Sequence, residues 1–205
     1  MASVKLAFGD ALYEPDGLMR YVYFPNTCLV SLLTIVDGHL ALEVGLVGRE
    51  GMVGVPLALG FRSSAVRAIV QGEGDALRMS RVRFLGALRR SPQLLRGVNG
   101  YIHALMWQIS QTAACNRFHV VEARLAKWLL MTRDRLDSEE FRMTHDFLSS
   151  MLGVRREGVT KAASAFQQKK LIEYSRGKIR IVDHGGLEAA SCSCYRRSLA
   201  GSRAR

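Results

Sequence analysis

The sequence predicts an α+β chain in three parts: a small jelly-roll β-barrel, one long helix, and a winged helix-turn-helix. Three observations predict it. Short β-like runs punctuated by Gly, Pro and Asp fill residues 1–85. Apolar residues then recur at heptad spacing between Leu95 and Thr112. Finally, residues 144–161 (THDFLSSMLGVRREGVTK) read as two amphipathic helices about a glycine, with a basic hairpin after them. These set the boundaries at 1–91 for the barrel, 92–117 for a dimerisation helix, and 118–205 for the winged helix-turn-helix with a mobile C-terminal tail.

In the barrel, residues 21–24 (YVYF) meet a Pro25-Asn26 turn, and 28–36 form a long apolar strand ended by Asp37-Gly38. Residues 40–47 alternate loosely around Glu43 and Gly45. Strands at 66–71 and 76–79 flank a GEGD turn.

Ser80 is placed to cap a short helix through Val82, Phe84, Leu85 and Leu88, and Ser91-Pro92 restarts the chain with Pro at the first helical position. Leu95, Val98, Ile102, Leu105, Ile109 and Thr112 then follow at alternating spacings of 3 and 4, a heptad seam. Such a stripe also suits a helix packed on its own barrel. Leu94, Tyr101, Met106 and Ala113 widen the apolar surface, which predicts two faces, one for the barrel and one for a second copy of the chain. A further helix is expected over 118–136, with a polar connector over 137–142.

Thr144 is an N-cap, and Phe147, Leu148, Met151 and Leu152 form the inward stripe of the next helix. Gly153 sits where a left-handed C-cap is needed. Val159, Ala162, Ala163 and Phe166 form the inward stripe of the second helix, leaving Arg155, Arg156, Glu157, Gly158, Thr160, Lys161 and Ser164 outward. Two arginines at a helix N-terminus oppose its partial positive charge, so an anion is expected there. DNA supplies one. Arg can bridge guanine O6 and N7, and Glu can accept from the cytosine amino group. Arg155 suits a base or a phosphate. Arg176, Lys178 and Arg180 on the hairpin suit backbone phosphates.

Charge agrees. The net +11 is divided as +3 over residues 1–100 and +8 over 101–205, so the second half carries most of the field that attracts a polyanion. The N-terminal residues lack the apolar centre of a secretory leader, and no long uncharged apolar run suits a membrane span, so a cytoplasmic protein without a membrane partner is expected. In that compartment Cys28, Cys115, Cys192 and Cys194 are expected as thiols.

Two other chemistries are weighed. Cys192 and Cys194, with His184 upstream, could make a redox- or metal-responsive regulator, although a single intervening residue is short for structural zinc. Cys115 reads as packing. His39 and Glu43 are four apart in a strand, as in a small metal-dependent barrel enzyme, but the other histidines all fall outside the barrel segment. No metal site and no catalytic residue is therefore expected.

The order of parts resembles the Crp/Fnr family of bacterial transcription regulators over residues 5–183. The family's recognition helix begins with a polar residue, Arg and Glu, with a basic residue four after the Glu; here these are Arg155, Arg156, Glu157 and Lys161. The resemblance implies a cyclic-nucleotide-binding-like, effector-sensing barrel and a homodimer on palindromic double-stranded DNA. It also implies base contacts by Arg156 and Glu157, and RNA polymerase as a candidate protein partner. In nucleotide-binding members a Gly-Glu pair holds ribose and an Arg-Ser pair holds phosphate. The matching positions are Glu50, Arg62 and Ser63, but Arg49 replaces the Gly, the spacing is longer, and Ile109-Ser110 stands where a Thr-Ser pair would reach the purine. A cyclic nucleotide is thus disfavoured, and an unknown small-molecule effector, or none, is expected. No cysteine cluster precedes Cys28, which argues against the iron–sulfur centre of Fnr-type members. Residues 47–54 (VGREGMVG) and 190–195 (ASCSCY) resemble one branch of the family.

Overall fold

In the N-terminal half, strands pair into two antiparallel sheets. The computed structural model describes residues 1–37 and 40–203. One sheet has the order β1-β7-β3, from β1 (Ala2–Leu6), β7 (Gly74–Ser80) and β3 (Tyr21–Pro25). The other has the order β2-β6-β4-β5, from β2 (Ala11–Tyr13), β6 (Arg67–Gly72), β4 (Leu29–Val36) and β5 (Leu40–Val47). The expected barrel is therefore two facing, unclosed sheets among the described residues. The strands β1 and β2 were not evident in the sequence, being short and burying one residue each.

The apolar run of β4 has a physical cause. Val30 and Leu32 pack into the core between the sheets, whereas Leu29 and Leu33 face a second core made with the C-terminal half. A strand buried on both faces loses the alternation of a half-exposed one.

After the short helix α1 (Val55–Ala58), helix α2 (Arg81–Arg90) buries Phe84 and Leu88. Helix α3 (Pro92–Phe118) begins as expected, Ser91 Oγ accepting from the Leu94 amide. Val98, Tyr101 and Leu105 of α3 join the inter-sheet core. The heptad seam is thus divided. Val98 and Leu105 are 5 % and 7 % exposed and belong to this chain's own core, while Leu95 and Ile109 are 42 % and 37 % exposed. Ile102 and Thr112 are half-buried. Met106, 63 % exposed, lies with Leu95 and Ile109 on the outward stripe, while Ile102 packs at the margin of the inter-sheet core, so the exposed apolar face is rotated from the one the spacing indicated.

Helix α4 (Val121–Leu136) follows a break at His119 and Val120, three residues later than expected. It is the hub of the larger core: Leu125, Leu129 and Leu130 are fully buried among Leu29, Leu46, Leu148, Ile172, Ile179 and Leu187. Polar bonds also tie it to the sheets. Trp128 Nε1 donates to Glu43 Oε1 at 2.9 Å, Gln71 Nε2 donates to Thr132 Oγ1 at 3.2 Å, and Arg135 Nε donates to Glu50 Oε1 at 2.8 Å. Ser31 Oγ donates to Glu43 and contacts Gln71, completing a buried network in which burial raises the Glu43 pKa to about 7.

The expected connector contains a strand, β8 (Glu140–Arg142), and the C-terminal sheet has the order β8-β10-β9, with β9 (Ile172–Ser175) and β10 (Lys178–Ile181). The expected mobile tail is also corrected. Asp183 caps α7 (His184–Ala190) by accepting from the Gly186 amide, and α8 (Cys194–Arg203) follows, with Leu187, Cys192, Cys194 and Tyr195 buried. Tyr195 fixes this end of the chain, its hydroxyl donating to Asp134 at 2.8 Å. No described helix is long and apolar enough to cross a membrane.

Candidate nucleic-acid interface

The site is built on α5 (His145–Leu152) and α6 (Arg156–Gln168). Thr144 Oγ1 accepts from the Phe147 amide at 3.1 Å and so starts α5. Gly153 ends it at φ +59°, and a Cβ there would stand 2.7 Å from Leu42 Cδ1, so glycine serves both the turn and the contact with β5. Buried Arg124 donates to the Leu152 carbonyl and satisfies the last turn of α5.

Helix α6 starts at Arg156, with Arg155 as its N-cap and no side-chain capping bond. Its back face, Val159, Ala162, Ala163 and Phe166, is buried. Arg155, Arg156, Glu157, Thr160, Lys161 and Ser164 are exposed. A concavity lined by His145, Arg156, Glu157, Thr160, Lys161, Ser164, Ala165 and Gln168 runs along this face. Arg156 lies 3.3 Å from Asp146 with both side chains mostly exposed, an ion pair weak enough to exchange for a ligand.

The sequence reading missed His145. Its ring stacks on Tyr174 at 4.4 Å between centroids, and Nδ1 lies 3.0 Å from Thr160 Oγ1. This braces α5, α6 and β9 together. Burial, then the charge of Arg156, holds the His145 pKa below its ordinary value, so the neutral ring is favoured.

The wing turn uses Arg176 at φ +49° and Gly177 at φ +76°, the geometry of a tight hairpin. Arg176 is exposed at its tip, and Lys178 pairs with Glu140 at 2.9 Å. Arg142 of β8 stands opposite Lys178 in register and is also exposed. It adds a basic residue that the connector reading hid. Arg180 pairs with Glu173. Thr144, Arg142, Arg176 and Gly177 line one shared groove.

The expected effector residues are not gathered in the same way. Glu50 is held by Arg135 of α4, and Gly51 abuts the Tyr101 ring so closely that a Cβ would lie 2.1 Å from it. Arg62 and Ser63 are exposed in the approach to β6. Of the metal-enzyme pair, His39 lies outside the described residues, while Glu43 is buried and bonded to Ser31 and Trp128.

Two sheets joined through a long helix to a winged helix-turn-helix define a DNA-binding protein with an appended β domain. Residues 123–190 match the Crp-like helix-turn-helix domain. Solved structures share the whole fold. FixK2 from Bradyrhizobium japonicum is 15 % identical, with a TM-score of 0.79, covering 94 % of this chain and 98 % of its own. TTHB099, a CRP-family transcriptional regulator from Thermus thermophilus, is 18 % identical, with a TM-score of 0.76 and coverages of 93 % and 96 %. The c-di-GMP-responsive global regulator CLP of Xanthomonas campestris is 15 % identical, with a TM-score of 0.71 and coverages of 88 % and 93 %. At these identities the likeness establishes the fold. A search of curated protein sequences finds no match. Residues 123–190 therefore carry a Crp-like helix-turn-helix domain, and the chain as a whole has the fold of solved Crp/Fnr-type regulators.

Proposed function

We propose that the chain is a sequence-specific, cytoplasmic transcription regulator that binds a palindromic duplex as a homodimer. The observation that carries this reading is the α6 surface: a polar and basic row on a buried apolar back, braced by His145 and flanked by a basic wing. Arg156 and Glu157 read base edges, and Lys161 reaches a base or phosphate one turn on. Arg176, Lys178 and Arg142 hold phosphates, and the Thr144 hydroxyl can donate to one. Leu95, Ile102, Met106 and Ile109 supply the face for the second copy.

Residues 1–91 would act as the sensing unit, 92–117 as the dimer helix and 118–205 as the DNA-binding unit. The bonds from α4 to Glu43, Gln71 and Glu50 support transmission of a signal from the sheets to α6. Engagement of Glu50 by Arg135 weighs against a ribose contact there, which disfavours a cyclic nucleotide as the effector. RNA polymerase is the partner expected if the regulator activates.

Footprinting with wild type, Arg156→Ala and Lys178→Ala tests the assignment. Arg156→Ala should lose preference for the operator, whereas Lys178→Ala should weaken specific and random DNA alike. Equal loss on both DNAs for Arg156→Ala removes its reading role.

A further inference from the structure

Cys115 and His119 are one helical turn apart at the end of α3, and Cys192 and Cys194 flank the start of α8. The fold brings these distant pairs together: the three sulfurs and one ring nitrogen all lie within 4.8 Å of one another. Cys115 Sγ is 3.4 Å from Cys192 Sγ, and Cys194 Sγ is 3.7 Å from His119 Nδ1. From this geometry we propose a mononuclear, tetrahedral Cys3His site for a thiophilic divalent metal of the zinc class, clasping the end of the dimer helix to the C-terminal segment of the DNA-binding unit.

The distances favour one metal centre. A tetrahedron with zinc–sulfur bonds of about 2.3 Å has sulfur–sulfur edges of about 3.8 Å and slightly shorter sulfur–nitrogen edges. A disulfide needs about 2.05 Å, much less than the separation of Cys115 and Cys192. A two-iron cluster spreads its ligands over two metals and needs a wider set than this one. The ligand types agree, since three thiolates and an imidazole are soft and borderline donors.

The surroundings fit as well. The three cysteines form a small buried cluster with Ala123 packed against it, while His119 is only half-buried and leaves an entry side. Three thiolates on a divalent ion leave one net negative charge. Lys127 and Arg124, both buried, lie within electrostatic range of these cysteines and offset it. The one-residue spacing of Cys192 and Cys194, short for a zinc knuckle, is workable because Cys115 and His119 complete the set. His184, the upstream histidine, is not in the group. Cys28 lies apart in the inter-sheet core.

The consequence is mechanical. His119 and Val120 are the break between α3 and α4. A metal held by residues on both sides of that break fixes where α6 stands relative to the dimer face.

The test is titration of the reduced, full-length protein with Co2+ followed by Zn2+. One Co2+ per chain is expected, with tetrahedral ligand-field bands and thiolate-to-cobalt charge transfer, both abolished as Zn2+ displaces it. Cys192→Ser and Cys115→Ser should weaken binding at least about a hundredfold, more than loss of an outer partner of a metal ligand. Cys28→Ala should leave it unchanged. An octahedral spectrum, no stoichiometric metal in the wild type, undiminished binding by Cys192→Ser, or iron with acid-labile sulfide on these ligands each overturns the proposal. The wild-type spectrum decides even where a variant does not fold. Duplex binding measured in parallel separates the readings, because a protein that selects DNA but takes no metal overturns only this site.

Discussion

At the residue scale, the arginine pair that opens α6 explains the most. Arg155 and Arg156 sit at the positive end of a helix dipole, where Arg155 makes no side-chain capping bond and the acids nearby are Glu157 in the first turn and the exposed Asp146 beside Arg156. A site so arranged gains from an incoming phosphate or base. Arg156→Ala should reduce affinity for the operator by about 1–3 kcal/mol, and Lys178→Ala should lower the salt slope of binding by about one charge. Fluorescence anisotropy over a salt series measures both. These residues were legible in the sequence because they occupy the outward positions of a strongly amphipathic helix. His145 and Arg142 were not. Each acts through a neighbour brought up by the tertiary fold, Thr160 and Tyr174 for one and the β10 register for the other.

At the element scale, helix caps and turns were read closely and helix phase less so. Thr144, Ser91 and Gly153 hold the roles their chemistry indicated. Gly153→Ala should cost about 1–2 kcal/mol from the left-handed backbone alone, and more from Leu42, in urea unfolding. For α3, the sequence held two overlapping stripes and spacing alone could not say which faced the sheets. The burial of Val98, Tyr101 and Leu105 settles it. Met106→Glu with Ile109→Glu should therefore give a folded monomer in sedimentation, whereas Val98→Glu should unfold the chain by burying an unpaired charge. A folded dimer from the first pair would move the interface elsewhere. The strand β8 and helices α7 and α8 escaped detection because they are short and rely on partners far away in sequence.

At the scale of the whole molecule, the sheets and the DNA-binding unit share a buried polar network as well as an apolar core. Glu43, its pKa raised by burial, binds its proton more tightly folded than unfolded. The stability this gives is full below the ordinary carboxylate pKa and is lost as pH rises from about 4.5 to about 7. Glu43→Gln should flatten that decline, which is on the order of a few kcal/mol, in denaturation followed across pH. A wild-type curve flat over this window would show that the fold does not raise the Glu43 pKa. The order of the three parts was legible from sequence, since each has its own hydrophobic period. Their mutual packing was not: the contacts of Trp128 with Glu43 and Arg135 with Glu50 join residues 85 apart. The central claim is that two copies of α6 read one duplex. Selection of bound duplexes from a random pool tests it most directly. The account predicts an inverted repeat with half-site centres about 34 Å apart, lost on Arg156→Ala. A pool without enrichment, or one enriched equally by Arg156→Ala, would contradict it.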